Sequence, residues 1–123
     1  RGLSPERRDR FFTPLLNDWK VNESLLRKVT FKRLNLLQPI SFPEKMDLIL
    51  CRNVAIYFQP SDKQKIFSHL SRALNHHGFL VLGTTENLHD GPQVFQEKKI
   101  GKAVFYQPLE QSEEGALQNA RAG

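Results

Sequence analysis

The run Met46-Asp47-Leu48-Ile49-Leu50-Cys51 constrains the fold more than any other stretch of this chain. It has the length and the Leu/Ile character of a strand buried on both faces of a sheet. It then switches abruptly to Arg52-Asn53, and Tyr57 follows four residues later. A strand that ends on a cation and an amide delivers polar chemistry to the rim of a sheet. In open α/β folds, the rim outside the carboxyl ends of parallel strands is where ligands bind.

The residues after this run complete a βαβ pattern. Residues 54–58 read as a helical turn. Ser61 with Gln64 three positions on has the form of a capping box. Ile66, Phe67, Leu70, Ala73 and Leu74 then recur at helical spacing, which predicts an amphipathic helix over about 62–75. Gly78, after Asn75-His76-His77, reads as the residue that terminates it, with the two histidines at the negative end of the helix. Phe79-Leu80-Val81-Leu82 is a second apolar strand, ending at Gly83-Thr84-Thr85-Glu86. Strand, helix, strand in this order predicts parallel neighbours joined by a right-handed crossover. Residues 94–98 and 102–106, on either side of Lys99-Ile100-Gly101, predict a closing β-hairpin.

Upstream, Ser4 and Pro5 mark a helix start, with Ser4 as N-cap, and the helix should stop before Pro14. Trp19-Lys20-Val21 is a short extended piece, and Asn22 caps a helical turn through Leu25, Leu26 and Val29. Residues 29–34 alternate apolar and polar, the period of a strand with one wetter face. That strand ends at Asn35-Leu36-Leu37.

Composition fits one soluble domain with room for a single core: 123 residues, 39% hydrophobic and 25% charged. No apolar run approaches the ~18 residues needed to span a bilayer, and no leader is visible, so membrane insertion is not expected. Cys51 is the only cysteine, which excludes an internal disulfide and suits a reducing cytoplasm. Set in an apolar run, it reads as a packed, inert thiol. The net charge of +5 sits entirely in residues 1–34, where nine Lys/Arg face four acids. Such a basic third could dock an acidic surface, or simply be solvated. Its aromatics do not interleave with the cations as a single-strand nucleic-acid platform requires, and nucleic acid is not an expected partner.

Polar groups stand at three strand ends: Asn35, then Arg52 and Asn53, then Thr84, Thr85 and Glu86. Parallel strands would bring them to one edge of the sheet. Amides there can hydrogen-bond a heterocycle or an amino-acid group, and Arg52 can grip a carboxylate at two points. The seven glycines form neither a dinucleotide fingerprint nor a P-loop. No C-x-x-C or H-E-x-x-H supports a metal site, and no strained elbow surrounds a serine. His69 and His89 have no partner identifiable from sequence.

Four segments carry a resemblance: Arg1-Gly2-Leu3-Ser4, Phe31-Lys32-Arg33-Leu34-Asn35-Leu36, the stretch from Asp47 through Cys51-Arg52-Asn53-Val54-Ala55-Ile56-Tyr57-Phe58, and Gly83-Thr84-Thr85-Glu86-Asn87-Leu88. In this order they resemble the C-terminal part of CheR-type chemotaxis methyltransferases over about residues 1–107. Where relatives often read Gly-His-Ser-Glu-Asn, this chain has Gly83-Thr84-Thr85-Glu86-Asn87. Those enzymes use S-adenosyl-L-methionine to methylate glutamate side chains of chemoreceptors. The resemblance implies the C-terminal portion of a Rossmann-like class I methyltransferase sheet, with parallel strands and a closing antiparallel hairpin. It implies that Asn35 and Leu36 contact the adenosine end of the cofactor and that Arg52 and Asn53 line it nearer the sulfonium. Arg52 and Tyr57 then face the transferred methyl as the catalytic pair.

The family's sheet order is 3-2-1-4-5-7-6, which makes residues 29–34 strand 3 and residues 46–51 strand 4. The family's N-terminal helical domain and first two strands have no counterpart in this sequence. The expected organisation is a partial S-adenosylmethionine-dependent domain over 1–108 and a flexible tail or linker over 109–123. Baring one edge of strand 4 predicts a homodimer through exposed or exchanged strands, with weak activity or none alone. The alternative is a non-catalytic protein-interaction module with a basic docking surface.

Overall fold

Backbone pairing around the 46–51 run organises the larger part of the molecule. In the computed structural model, which describes residues 1–88 and 93–109, β3 (Met46–Cys51) pairs in parallel with β4 (Leu74–Leu82). A hairpin of β5 (Phe95–Ile100) and β6 (Ala103–Pro108) completes a four-stranded mixed sheet of order β3-β4-β6-β5. This order is the 4-5-7-6 segment of the sheet implied by the resemblance. The hairpin turns at Gly101, whose φ of +61° glycine adopts at no steric cost. Ile100 pairs with Ala103 across it.

The helix α3 (Pro60–Ala73) connects β3 to β4 and covers one face of the sheet. Its Ile66, Phe67 and Leu70 pack with Cys51, Leu74, Leu80, Leu82 and Tyr106 in a single core. The helical spacing read from the sequence therefore marks the buried stripe. On the opposite face, Leu48 and Leu50 are 54% and 66% exposed, so burial of β3 on both faces does not hold among the described residues. Phe79 and Phe105 meet edge-on at 5.5 Å.

Both ends of α3 differ from expectation. Pro60 opens the helix behind Gln59, so Ser61 lies inside the first turn and forms no capping box. Proline suits that first position because its missing N–H would be unpaired there anyway. At the other end the backbone turns extended at Leu74 (φ −88°, ψ 144°), and Asn75, His76, His77 and Gly78 belong to β4. The pairing with β3 jumps from Met46–Leu74 to Leu48–Phe79, and residues 75–78 absorb the shift. Asn75 Nδ2 donates to Asp47 Oδ1 (2.6 Å), and buried Gln107 donates to the His77 carbonyl (3.1 Å). Gly78 is not a helix stop. It allows close approach, since a Cβ there would lie 2.9 Å from both the Met46 carbonyl oxygen and Leu74 Cδ2.

Residues Arg1–Arg33 form a separate unit from Leu34–Gly123. Its α1 (Pro5–Phe11) starts at Ser4, whose Oγ accepts from the Arg7 N–H at 3.2 Å. Then β1 (Phe12–Leu15) and β2 (Asp18–Val21) pair antiparallel, so Trp19-Lys20-Val21 is one arm of a hairpin. Arg8 stacks 4.6 Å over Trp19. Asn22 precedes α2 (Glu23–Leu26), but its side chain does not cap that helix. It ties the base of the hairpin, accepting from Thr13 Oγ1 (2.7 Å) and donating to the Arg10 carbonyl (3.1 Å).

The strand expected over 29–34 is absent. These residues are irregular and exposed. Alternation describes a face, but a strand also needs a ladder partner for its backbone groups, and no described strand pairs with this segment. His89 and the tail from residue 110 onward lie outside the described residues.

Candidate active site

At the carboxyl end of β3 the chain turns sharply. Cys51 is buried, Arg52 emerges, and Asn53 takes a left-handed conformation with φ +57°. Asparagine tolerates this region better than most residues because its short polar side chain bonds locally. The turn of 3-10 helix at Ala55–Tyr57 follows, with Ala55 buried and Tyr57 82% exposed.

Beside it, at the carboxyl end of β4, Gly83-Thr84-Thr85-Glu86 closes a turn in which the Glu86 N–H donates to the Gly83 carbonyl (3.0 Å). The Glu86 side chain folds back into that turn. Its Oε1 accepts from the Asn53 N–H and from the Gly83 N–H (3.2 Å). Its Oε2 is buried without a hydrogen-bond partner among the described residues. Burial pushes the Cys51 thiol above its ordinary value, and the neighbouring Glu86 carboxylate adds to the rise. The thiol is packed, as its apolar setting foretold, and the rise favours its protonated, less nucleophilic form.

These two strand ends border a cleft of about 490 Å³. Arg52, Thr84, Thr85 and Glu86 line it from the ends of β3 and β4, and Glu97, Lys102 and Tyr106 line it from the hairpin. Burial, followed by the Glu97 carboxylate, raises the affinity of the Tyr106 hydroxyl for its proton. The cleft thus offers two cations and two carboxylates, with hydroxyl groups between them. The hairpin residues were not anticipated as lining. Their signal was the strand order, which sets β6 against β4.

Of the residues singled out in the sequence, the fold brings Arg52 and Asn53 to Thr84–Glu86. Of these, only Arg52 lines the cleft together with Thr84–Glu86; Asn53, Asn35, Leu36 and Tyr57 do not. Asn35 is exposed in a turn, where its Oδ1 accepts from the Leu37 N–H (3.1 Å). Leu36 packs against the core, and its carbonyl lies 3.0 Å from His69 Nδ1, the partner that the sequence did not reveal for that histidine. No group of three or more His, Cys, Asp or Glu side chains suited to a metal occurs among the described residues. No helix among them is long and apolar enough to cross a membrane.

Comparison with known proteins bears on this geometry. A family model described as CheR methyltransferase, SAM binding domain, matches residues 1–104. Chemotaxis protein methyltransferase 1 of Vibrio cholerae is 38% identical over 107 residues, covering 86% of this chain and 39% of that protein. Chemotaxis protein methyltransferase 1 of Pseudomonas aeruginosa is 36% identical over 107 residues, with the same coverages of 86% and 39%. A chemotaxis protein methyltransferase of Borreliella burgdorferi is 35% identical over 71 residues, 57% of this chain and 25% of that protein. The chain spans about two fifths of the length of the first two relatives. With the matched segment running from Arg1 across the Arg52–Asn53 turn and the Glu86 loop, the chain belongs to the CheR methyltransferase family and falls within its S-adenosylmethionine-binding domain.

Proposed function

We propose that this chain contributes one wall of an S-adenosylmethionine site in a methyltransferase that esterifies glutamate side chains of chemoreceptors. The observation that carries the reading is the corner at the end of β3, where left-handed Asn53 and exposed Arg52 stand beside the Glu86 loop of the parallel neighbour β4. Such a corner, at the carboxyl ends of adjacent parallel strands, is where open α/β sheets hold ligands. The donor set suits the cofactor: amides on Asn53 and Asn35 can hydrogen-bond its polar ends, and Leu36 offers apolar contact.

When bound, S-adenosylmethionine supplies a methyl group on a cationic sulfur. The residues of the chain have a simple task. A free glutamate side chain titrates at about pH 4.3, so it is ionised at neutral pH and needs no general base. Arg52 and Tyr57 orient the incoming carboxylate, and the walls of the site exclude water. A single wall gives only part of the contacts, so weak binding and little turnover are expected of the chain by itself.

Isothermal titration with S-adenosylhomocysteine tests this. Weak binding that is lost in Asn53→Ala supports the proposal, and no binding to the folded wild-type chain contradicts it. A cytoplasmic setting follows from this reading. So does self-association through β3, which among the described residues pairs on one side only and presents Leu48 and Leu50.

A second reading, a non-catalytic docking module, draws on the Arg1–Arg33 unit. That unit exposes Leu15, Leu16 and Trp19 among its basic residues. It predicts binding of an acidic protein surface and no affinity for S-adenosylhomocysteine.

A further inference from the structure

We propose that Glu86 is a positioning residue that clamps the Arg52–Asn53 corner in the form able to bind a ligand. This rests on the function proposed above but assigns a new role to a residue outside the expected cofactor and catalytic sets. Residues 53 and 86 are far apart in sequence, yet one carboxylate oxygen, Oε1, accepts the backbone N–H groups of both Asn53 and Gly83. A charged acceptor shared by two backbone donors is stronger than the neutral bonds that usually close turns. It joins the end of β3 to the end of β4 at the point where the chain must turn left-handed.

Gly83 shows how closely the parts are fitted. A Cβ there would lie 2.5 Å from Asn53 Oδ1 and 2.6 Å from Glu86 Oε1, so any side chain at this position would push both groups aside. The other carboxylate oxygen, Oε2, is buried with no partner among the described residues. A buried unpaired oxygen is costly, and turn closure alone would be served by an uncharged acceptor. The clamp also fixes what faces the cleft. Arg52 and Glu86 both line it, and Asn53 lies between Arg52 and the 3-10 turn that carries Tyr57. Released from Glu86, Asn53 is free to leave its left-handed conformation, and Arg52 would lose its fixed direction.

The test uses the full chain, with S-adenosylhomocysteine as probe. Amide hydrogen exchange is followed by NMR and affinity by isothermal titration. In Glu86→Ala, the Asn53 and Gly83 amides should lose at least tenfold protection while those of Leu80 and Leu82 keep theirs, and affinity should fall at least tenfold. Glu86→Gln keeps an acceptor oxygen but not the charge, so both readouts should fall between those of Glu86→Ala and wild type, a partial rescue that loss of bulk alone does not predict. Gly83→Ala displaces the same two groups and should reproduce Glu86→Ala, so it carries the test if Glu86→Ala fails to fold. Protection at Asn53 unchanged in the folded variants, or lost with affinity intact, overturns the proposal. A wild-type chain without affinity overturns the proposed function instead, and exchange at Asn53 then decides the clamp alone.

Discussion

Truncating one leucine on each face of the four-stranded sheet measures how one-sided its packing is. Leu80 is 0% exposed beneath α3, whereas Leu50 on the other face is 66% exposed. Leu80→Ala removes transfer energy and leaves a cavity among Ile66, Phe67 and Tyr106, at a cost of about 2–5 kcal/mol. Leu50 has only a third of its surface covered. Its truncation should forfeit about a third of the roughly 1.5–3 kcal/mol that full burial is worth, on the order of 0.5–1 kcal/mol. Urea unfolding followed by circular dichroism reads both. With a slope of about 1–2 kcal/mol per molar for a domain of this size, Leu80→Ala should lower the midpoint by more than about 1 M. Leu50→Ala should lower it by less. Ile66→Val, at another 0% exposed position, costs about 0.5–1.5 kcal/mol and serves if Leu80→Ala does not fold. The measurements belong at a concentration where light scattering reports a monomer. Equal losses at Leu80 and Leu50 there would refute the one-faced core.

Three further outcomes follow from particular residues. The folded state holds the Cys51 and Tyr106 protons more tightly than the unfolded chain. Their contribution to stability is therefore complete below the unfolded thiol value of 9.0 and is lost as pH rises through the folded values. The urea midpoint should fall above pH 9, less steeply in Cys51→Ala, and a thiol reagent at pH 8 should label Cys51 only after unfolding. Gly78→Ala forces a methyl to 2.9 Å from the Met46 carbonyl oxygen and Leu74 Cδ2; it should cost about 1–3 kcal/mol by overpacking, and a stability equal to wild type would deny the close approach of β3 and β4. If copies associate through β3, sedimentation should show a dimer that Leu48→Lys with Leu50→Lys returns to monomer, and a dimer indifferent to both would place the contact elsewhere.

The core was legible in the sequence where periodicity and burial have one cause. Ile66, Phe67, Leu70 and Leu80 are apolar because α3 and β4 bury them together. The order β3-β4-β6-β5 was legible only through the resemblance, since no local pattern in β4 says which strand lies beside it. Other features turn on tertiary contact. Leu74-Asn75-His76-His77-Gly78 reads as a helix end by its turn-forming composition, yet it is strand, because pairing with Met46 and the Asp47 and Gln107 hydrogen bonds take up its backbone and side chains. The β1–β2 hairpin was missed because Leu16, rather than a glycine, holds the left-handed position with φ +51°. At the site, Arg52 and Asn53 announced themselves by standing at the end of an apolar run. The use of Glu86 as an acceptor for backbone groups of Asn53 and Gly83 has no sequence signature, because it depends on two loops meeting.

The central claim is that the corner after β3 holds part of a methyl donor, and amide chemical-shift mapping with S-adenosylhomocysteine tests it most directly. The account predicts shifts concentrated at Asn35, Leu36, Arg52, Asn53 and Glu86, saturating together along one binding curve. A titration that leaves those amides unmoved, or moves only residues of the Arg1–Arg33 unit, would contradict it.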